Sequence, residues 1–153
     1  MINIRHATPG DVTLIQHLND EVFIDNVKYL PNLNMNWAKG EHGLTYFTWL
    51  LNDKKSLCLI AEDDGKAVGY LAASPKKFTY KTKSYTELEN MGVTPEYQSK
   101  GIGSELLERY LQWSREEGYE KASVNAFSKN TGALDFYRNH GFSDVDISLE
   151  MEL

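Results

Sequence analysis

The stretch Tyr85–Leu111, YTELENMGVTPEYQSKGIGSELLERYL, decides the fold, because its hydrophobic period changes once and a glycine-rich turn sits at the change. From Tyr85 to Val93 the residues alternate, with Glu87, Glu89, Met91 and Val93 on one face and Thr86, Leu88, Asn90 and Gly92 on the other, which predicts a strand. Thr94-Pro95 ends the ladder, since proline has no N–H to give. Beyond Gly103, Leu106, Leu107, Tyr110 and Leu111 recur at helical spacing, and Gly118 stands where a left-handed C-terminal cap is wanted. The unit is strand, loop, helix.

The loop Gln98-Ser99-Lys100-Gly101-Ile102-Gly103 opens that helix. Its N–H groups therefore lack intrahelical acceptors and gather at the positive end of the helix dipole, an arrangement that binds phosphate. Gly101 and Gly103 let the backbone approach an anion closely, Lys100 adds a point charge and Ser104 a hydroxyl. Two nucleotide fingerprints fail on the letters. The dinucleotide turn needs a glycine where Leu106 stands, and the mononucleotide P-loop needs Gly-Lys-Ser/Thr after a four-residue gap. The pattern that fits is Q/R-x-x-G-x-G/A directly after a strand, met by Gln98, Gly101 and Gly103. A second block, Asn130-x-x-Ala133-x-x-Phe136-Tyr137-x-x-x-Gly141-Phe142, follows in the chain.

In this order and at this distance, the two motifs resemble the GNAT superfamily of N-acetyltransferases, whose acyl-CoA pyrophosphate loop carries the first. The opening Ile4-Arg5-x-Ala7-Thr8-x-x-Asp11 is also common there, so the resemblance spans nearly the whole chain. It implies an α/β (α+β) fold with a GNAT-like mixed, mostly antiparallel central sheet of six to seven strands, flanked by about four helices. A splayed strand pair would hold acyl-CoA, and residues 1–153 would form a single acetyltransferase domain.

The resemblance also assigns roles. Acetyl-CoA is the cosubstrate, held through the backbones of Met91 and Val93 and by the loop Gln98, Ser99, Lys100, Gly101, Ile102, Gly103 and Ser104, with Asn130 touching the CoA arm. Read from the residues alone, Asn130 is equally a plain N-cap. An N–H near Met91 would face the thioester carbonyl as oxyanion donor. Tyr137 matches the tyrosine that serves many members as general acid toward the leaving thiolate, with Phe136 as its packing neighbour; as a helix aromatic it also reads as core.

A primary ammonium has a pKa of about 10, so transfer needs a base. Glu87 and Glu89 share a strand face toward the expected cleft and are the candidates, with Glu87 favoured as base and Glu89 as amine binder. Their bland reading is the polar face of an exposed strand. In the family the first two helices and their connection wall the acceptor pocket, so Phe23, Tyr29, Trp37 and Tyr46 are candidate substrate contacts or, equally, core aromatics. The loop departs from the commoner Arg-Gly at Gln98-Ser99, which removes one phosphate-directed charge but leaves the backbone cradle. Leu88-Glu89-Asn90 is similar to the same stretch of polyamine and small-amine acetyltransferases. The implied reaction is direct transfer from acetyl-CoA to a small cationic amine in a ternary complex; a peptide or protein amine, or a non-catalytic acyl-CoA-binding regulatory domain, is the alternative. Dimers are common in the family, which makes a homodimer an expectation.

Composition bounds the rest. A chain of 153 residues with 41% hydrophobic content suits one domain. A formal charge of −6 argues against a nucleic-acid partner and favours cationic substrates through long-range attraction. The lysine-rich segment Lys76, Lys77, Lys81 and Lys83, interleaved with Phe78 and Tyr80, accordingly reads as a solvated hairpin tip. The lone Cys58 lies in the apolar run Leu57–Ile60, so no internal disulfide forms and a buried small hydrophobe is the preferred reading over a nucleophile. The four histidines have no ligand spacing, and no metal is expected. Neither a signal peptide nor an apolar stretch long enough for a bilayer is apparent, so a cytoplasmic protein without membrane partners is expected.

Along the chain, Ile2–His6 predicts a first strand; Thr8, Pro9 and Asp11 open a helix running to about Asn19 or beyond; Leu44 to Leu51 predicts a second. Ser56–Glu62 and Lys66–Ala73 form a hairpin around Asp63-Asp64-Gly65. Lys121–Phe127 predicts a fifth strand and Asn130–Asn139 a short helix. The last ten residues alternate Val145, Ile147, Leu149, Met151 and Leu153 against Asp144, Asp146, Ser148, Glu150 and Glu152, which predicts a further half-buried antiparallel strand of the sheet.

Overall fold

The computed structural model describes residues 1–153. Strands β1 (Ile2–His6), β2 (Leu57–Asp63), β3 (Lys66–Lys76), β4 (Tyr85–Val93) and β5 (Lys121–Val124) make one sheet in sequence order. The first four pair antiparallel and β4 pairs parallel with β5. Helices α1 (Val12–Asn26) and α2 (Glu41–Asn52) cover one face; α3 (Ile102–Glu116) and α4 (Thr131–Asn139) cover the other.

Local chemistry sets these boundaries. Asp64 and Gly65 both take positive φ, 47° and 85°, so a two-residue turn of the type that matches strand twist closes the β2–β3 hairpin. At the end of α3 the Gly118 N–H donates to the Arg115 carbonyl and the Tyr119 N–H to that of Ser114, the paired bonds of a Schellman cap. Arg5 reaches from β1 to Asp11 through two bonds of 2.8 and 3.1 Å and also binds Glu62, tying the first strand, the turn after it and β2 together.

The two helical layers bury different residues. On the α3 side Ile4, Leu57, Leu59, Leu71, Ala73 and Leu88 meet Ile102, Leu106, Leu107 and Tyr110. On the α1–α2 side Cys58, Ile60, Tyr70 and Ala72 meet Ile15, Leu18, Phe47 and Leu50. Strand alternation delivers this split, and one bulge changes it. Ala72 pairs with Asn90 and Ala73 with Leu88, leaving Glu89 as an extra residue in β4. Leu88 faces α3 before the bulge; Met91 and Val93 face α3 after it. Glu87 and Glu89 therefore share the α1–α2 side, but Met91 and Val93 do not join them, contrary to an unbroken alternation from Tyr85 to Val93.

Three further expectations are corrected. The sheet has five strands rather than six or seven. The fifth stops at Val124 rather than Phe127, where its pairing with β4 ends. Residues 143–153 form no strand: Val145, Ile147, Leu149, Met151 and Leu153 are each at least 80% exposed. Alternation prepares a strand but does not provide it with an edge to pair with.

Candidate active site

β4 and β5 pair only from Tyr85↔Lys121 to Leu88↔Val124, and β4 runs on to Val93 paired with β3 but open on its β5 edge. The strands part at the bulged Glu89, so the irregularity that re-aims this carboxylate also opens the sheet. α1 packs tightly over the opened segment. A Cβ on Gly92 would lie 2.4 Å from Val22 Cγ2 and 3.2 Å from Tyr70 Cε1, so only glycine admits the helix there.

At the end of β4 the chain turns into α3. No N–H from Ser99 to Ser104 donates to any carbonyl or side chain in the protein; the next to do so is Glu105, to Gly101. Six successive amides are thus free at a helix N-terminus, the setting that suits a pyrophosphate. Ser99 at φ 61° and Gly101 at φ 86° supply the left-handed steps that bring these amides round. Gln98 Nε2 donates to the Val93 carbonyl at 3.0 Å and braces the loop against β4. Lys100 sits with its ammonium 5.0 Å from the Tyr97 ring centroid. The Ile102 side chain is buried beneath the loop, leaving its N–H as the only part able to meet a ligand. The residues present fit the pyrophosphate of an acyl-CoA.

On the α1–α2 side, Glu89 accepts hydrogen bonds from the Tyr46 hydroxyl and from Ser74 Oγ. Burial pushes its carboxyl pKa up. Glu87 is engaged differently, 3.4 Å from Lys76 Nζ and bonded to Asn125 Nδ2 at 3.2 Å. Tyr46 belongs to an aromatic wall. Phe23 stacks on Trp37 at 5.7 Å, Trp37 lies 5.7 Å from Tyr46, and Phe47 and Trp49 pack around Tyr46 at 4.9 and 6.1 Å. The structure thus brings Phe23, Trp37 and Tyr46 together and ties them to Glu89. Tyr29 stands apart, 6.5 Å from Phe127 beyond β5.

Tyr137 packs between Phe136 and Phe142, and burial pushes its phenol pKa up to about 12, so it stays protonated. Asn130 caps α4 by accepting from the Ala133 N–H at 3.1 Å, so its capping role is met and its Nδ2 carries no bond within the chain. Burial pushes the Cys58 thiol up to about 12, far from a reactive thiolate. No group of three or more His, Cys, Asp or Glu is placed to hold a metal ion, and no helix is long and apolar enough to cross a membrane.

Ser74 and a buried polar relay were not singled out by sequence. Asn19 Nδ2 donates to Tyr70 Oη at 2.8 Å and to Asn90 Oδ1 at 3.1 Å, fixing α1 to the strand beside the bulge. Nothing in the letters marks these residues, since their roles depend on which residue of β4 is bulged.

A family model described as acetyltransferase (GNAT) family matches residues 21–142. The chain belongs to the GNAT family of acetyltransferases. An N-acetyltransferase of Archaeoglobus fulgidus is 34% identical over 93 residues, covering 60% of this chain and 63% of that protein. One from Methanocaldococcus jannaschii is 24% identical over 145 residues, covering 94% of this chain and 62% of its own. The chain thus spans under two thirds of the length of these relatives. Among solved structures, a predicted acetyltransferase from Clostridium acetobutylicum with acetyl-CoA is 26% identical and superposes at a TM-score of 0.80, covering 99% of this chain and 96% of that one. An aminoglycoside N-acetyltransferase in complex with CoA, 17% identical, shares the fold at a TM-score of 0.77, covering 100% and 95%. This GNAT chain keeps the family's mixed α/β architecture with one or two strands fewer than the resemblance implies.

Proposed function

We propose that this chain transfers an acetyl group from acetyl-CoA directly to a primary amine, favouring a small cationic one. The observation that carries the reading is the half-buried Glu89 carboxylate, held by Tyr46 and Ser74 at the foot of an aromatic wall, where β4 leaves β5 and runs toward six free amides. Acetyl-CoA, present in the Clostridium acetobutylicum neighbour, supplies an activated thioester.

The chain's own residues divide the work. The Ser99–Ser104 amides hold the pyrophosphate, and the length of β4 open on its β5 edge, including Met91 and Val93, offers backbone groups to the pantetheine arm and an N–H to the thioester oxygen. The rings of Phe23, Trp37 and Tyr46 with the Glu89 charge accept an ammonium. Glu89, its pKa raised by burial, takes the ammonium proton directly or through water; Glu87 is instead paired with Lys76 and bonded to Asn125. This moves the base that the sequence favoured at Glu87 to Glu89, which keeps its role as amine binder. The amine nitrogen then bonds to the thioester carbon, the carbon–sulfur bond breaks, and the Tyr137 phenol gives its proton to the sulfur, while the second proton of the nitrogen passes through water to restore the phenol. With Cys58 buried and protonated, an acyl-enzyme has no nucleophile.

The test is release of CoA thiol from acetyl-CoA against polyamines, aminoglycosides, amino acids and short peptides, with enzyme-only blanks. Release that depends on small polycations supports the proposal. Release with peptides alone moves the acceptor to a polypeptide amine. Binding of acetyl-CoA without turnover on any acceptor favours a regulatory domain.

A further inference from the structure

The loop between β3 and β4 folds three aromatic rings around one ammonium. Lys81 Nζ lies 4.0 Å from the Phe78 ring centroid, 4.8 Å from that of Tyr85 and 5.8 Å from that of Tyr80. The rings meet at steep angles, Phe78 to Tyr85 at 75° and Phe78 to Tyr80 at 69°, so they form a corner rather than a stack. Lys81 makes no salt bridge, whereas Lys76 is paired with Glu87. Of the lysines in this segment, Lys76, Lys77 and Lys83 are exposed and Lys81 alone is half-buried. The cation is therefore held by rings without a carboxylate, the way proteins recognise alkylated ammonium ligands. Lys81 stands in for such a ligand.

The corner lies in line with the site. Thr86 and Leu88 turn to the α3 side, so Tyr85 and Glu87 turn to the α1–α2 side, where the bulge also puts Glu89. Glu89, Glu87 and the Tyr85 corner thus make one row of cation-binding groups along β4. Four residues of strand set the corner about 13 Å from Glu89. An extended chain advances about 3.5 Å per three bonds, so roughly eleven bonds join the two points. The chain's own ammonium groups fill both outer positions of the row, Lys76 on Glu87 and Lys81 among the rings.

We propose that Phe78, Tyr80 and Tyr85 form a second ammonium site, plugged by Lys81 in the free protein, that takes the far end of a long, linear di- or polycationic acceptor whose reacting amine lies at Glu89. The place of the reacting amine rests on the function proposed above; the ring corner does not. Binding exchanges one ammonium for another, so the rings keep their arrangement while Lys81 moves into solvent. The exposed Lys77 and Lys83 oppose a second cation, so the site shows most fully once Lys81 is neutral.

The test uses α,ω-diaminoalkanes as a ruler, from about three to about twelve carbons, each beside the monoalkylamine of equal length. Affinity for the CoA-bound chain is read by calorimetry, and kcat/KM by CoA release from acetyl-CoA. The monoamine subtracts what the methylenes contribute. The ratio of diamine to monoamine affinity is expected to stay flat for short chains and to rise about threefold to fivefold near about ten carbons. Lys81→Gln is expected to enlarge that step and Phe78→Leu to abolish it. Tyr80→Leu, at a residue 78% exposed and outside the core, is expected to reduce it without disturbing the fold. A ratio flat at every length overturns the proposal, and so does a step that Lys81→Gln and Phe78→Leu both leave unchanged. A step in affinity with no amine acetylated keeps the ring site and removes acetyl transfer to these acceptors; acetylation without a step overturns the ring site and keeps the transfer.

Discussion

Replacing Glu89 by Gln removes the base while keeping the shape. Two hydroxyls, Tyr46 and Ser74, donate to its carboxylate oxygens. A glutamine offers one carbonyl oxygen and an NH₂, so one hydroxyl keeps its acceptor and the other turns to accept. Hydrogen bonds to charged groups are worth about 1 kcal/mol more than neutral ones, and the variant no longer buries a charge, so stability is expected to change by only about 1 kcal/mol. The rate is expected to fall by roughly 10²–10⁴, the usual contribution of a positioned base.

The pH profile carries the same information with a sign. Burial raises the Glu89 pKa, and a base works deprotonated, so wild-type kcat/KM is expected to climb with pH through a value above the ordinary carboxylate range. Glu89→Gln loses that limb. A raised carboxyl pKa also means that the folded state holds this proton longer than the unfolded chain, so its contribution to stability declines as pH rises between the two values. The assay is CoA release across pH, with acetyl-CoA affinity measured in parallel. A variant within about threefold of wild type that keeps the acid limb would refute Glu89 as the base.

Tyr137→Phe is expected to lower kcat by roughly 10²-fold with acetyl-CoA affinity unchanged; equal losses in both would make Tyr137 a packing residue. Gly101→Ala meets no atom within 4 Å but forces a side chain into φ 86°, so denaturant melts should show a loss of about 1–2 kcal/mol, and acetyl-CoA should bind several-fold more weakly. Arg5 and the Thr8 N–H hold the Asp11 carboxyl at about 2, below the ordinary value. The pair is therefore expected to contribute roughly 2 kcal/mol at neutral pH, present above the unfolded pKa and lost as pH falls through about 2. Asp11→Asn should flatten that acid limb of urea stability and leave activity intact.

The loop was legible because its function is backbone geometry, which glycines announce: Gly101 takes the positive φ that its place before α3 suggests. Asn130, Gly118 and the Asp64-Gly65 turn were legible for the same reason. The face of Met91 and Val93 was not, because a bulge is one residue in a ladder and alternation continues past it in the letters. The partnership of Glu89 with Ser74 and Tyr46 was hidden likewise, since it joins β3, β4 and α2 across the bulge. The aromatic wall was half legible: the family resemblance nominated Phe23, Trp37, Tyr46 and Tyr29, but only the packing of α1 on α2 separates the first three from the last. The tail's alternation misled, because period-two letters predict a strand only where an edge is there to pair with, and residues 143–153 form none.

The account turns on direct transfer at Glu89, and initial rates over a grid of acetyl-CoA and amine concentrations, with the acetylated amine identified by mass spectrometry, test it most directly. Intersecting lines and an N-acetylated product are predicted, because both substrates must be bound together when no side chain can carry the acetyl group. Parallel lines, or an acetylated protein intermediate trapped before amine is added, would contradict it.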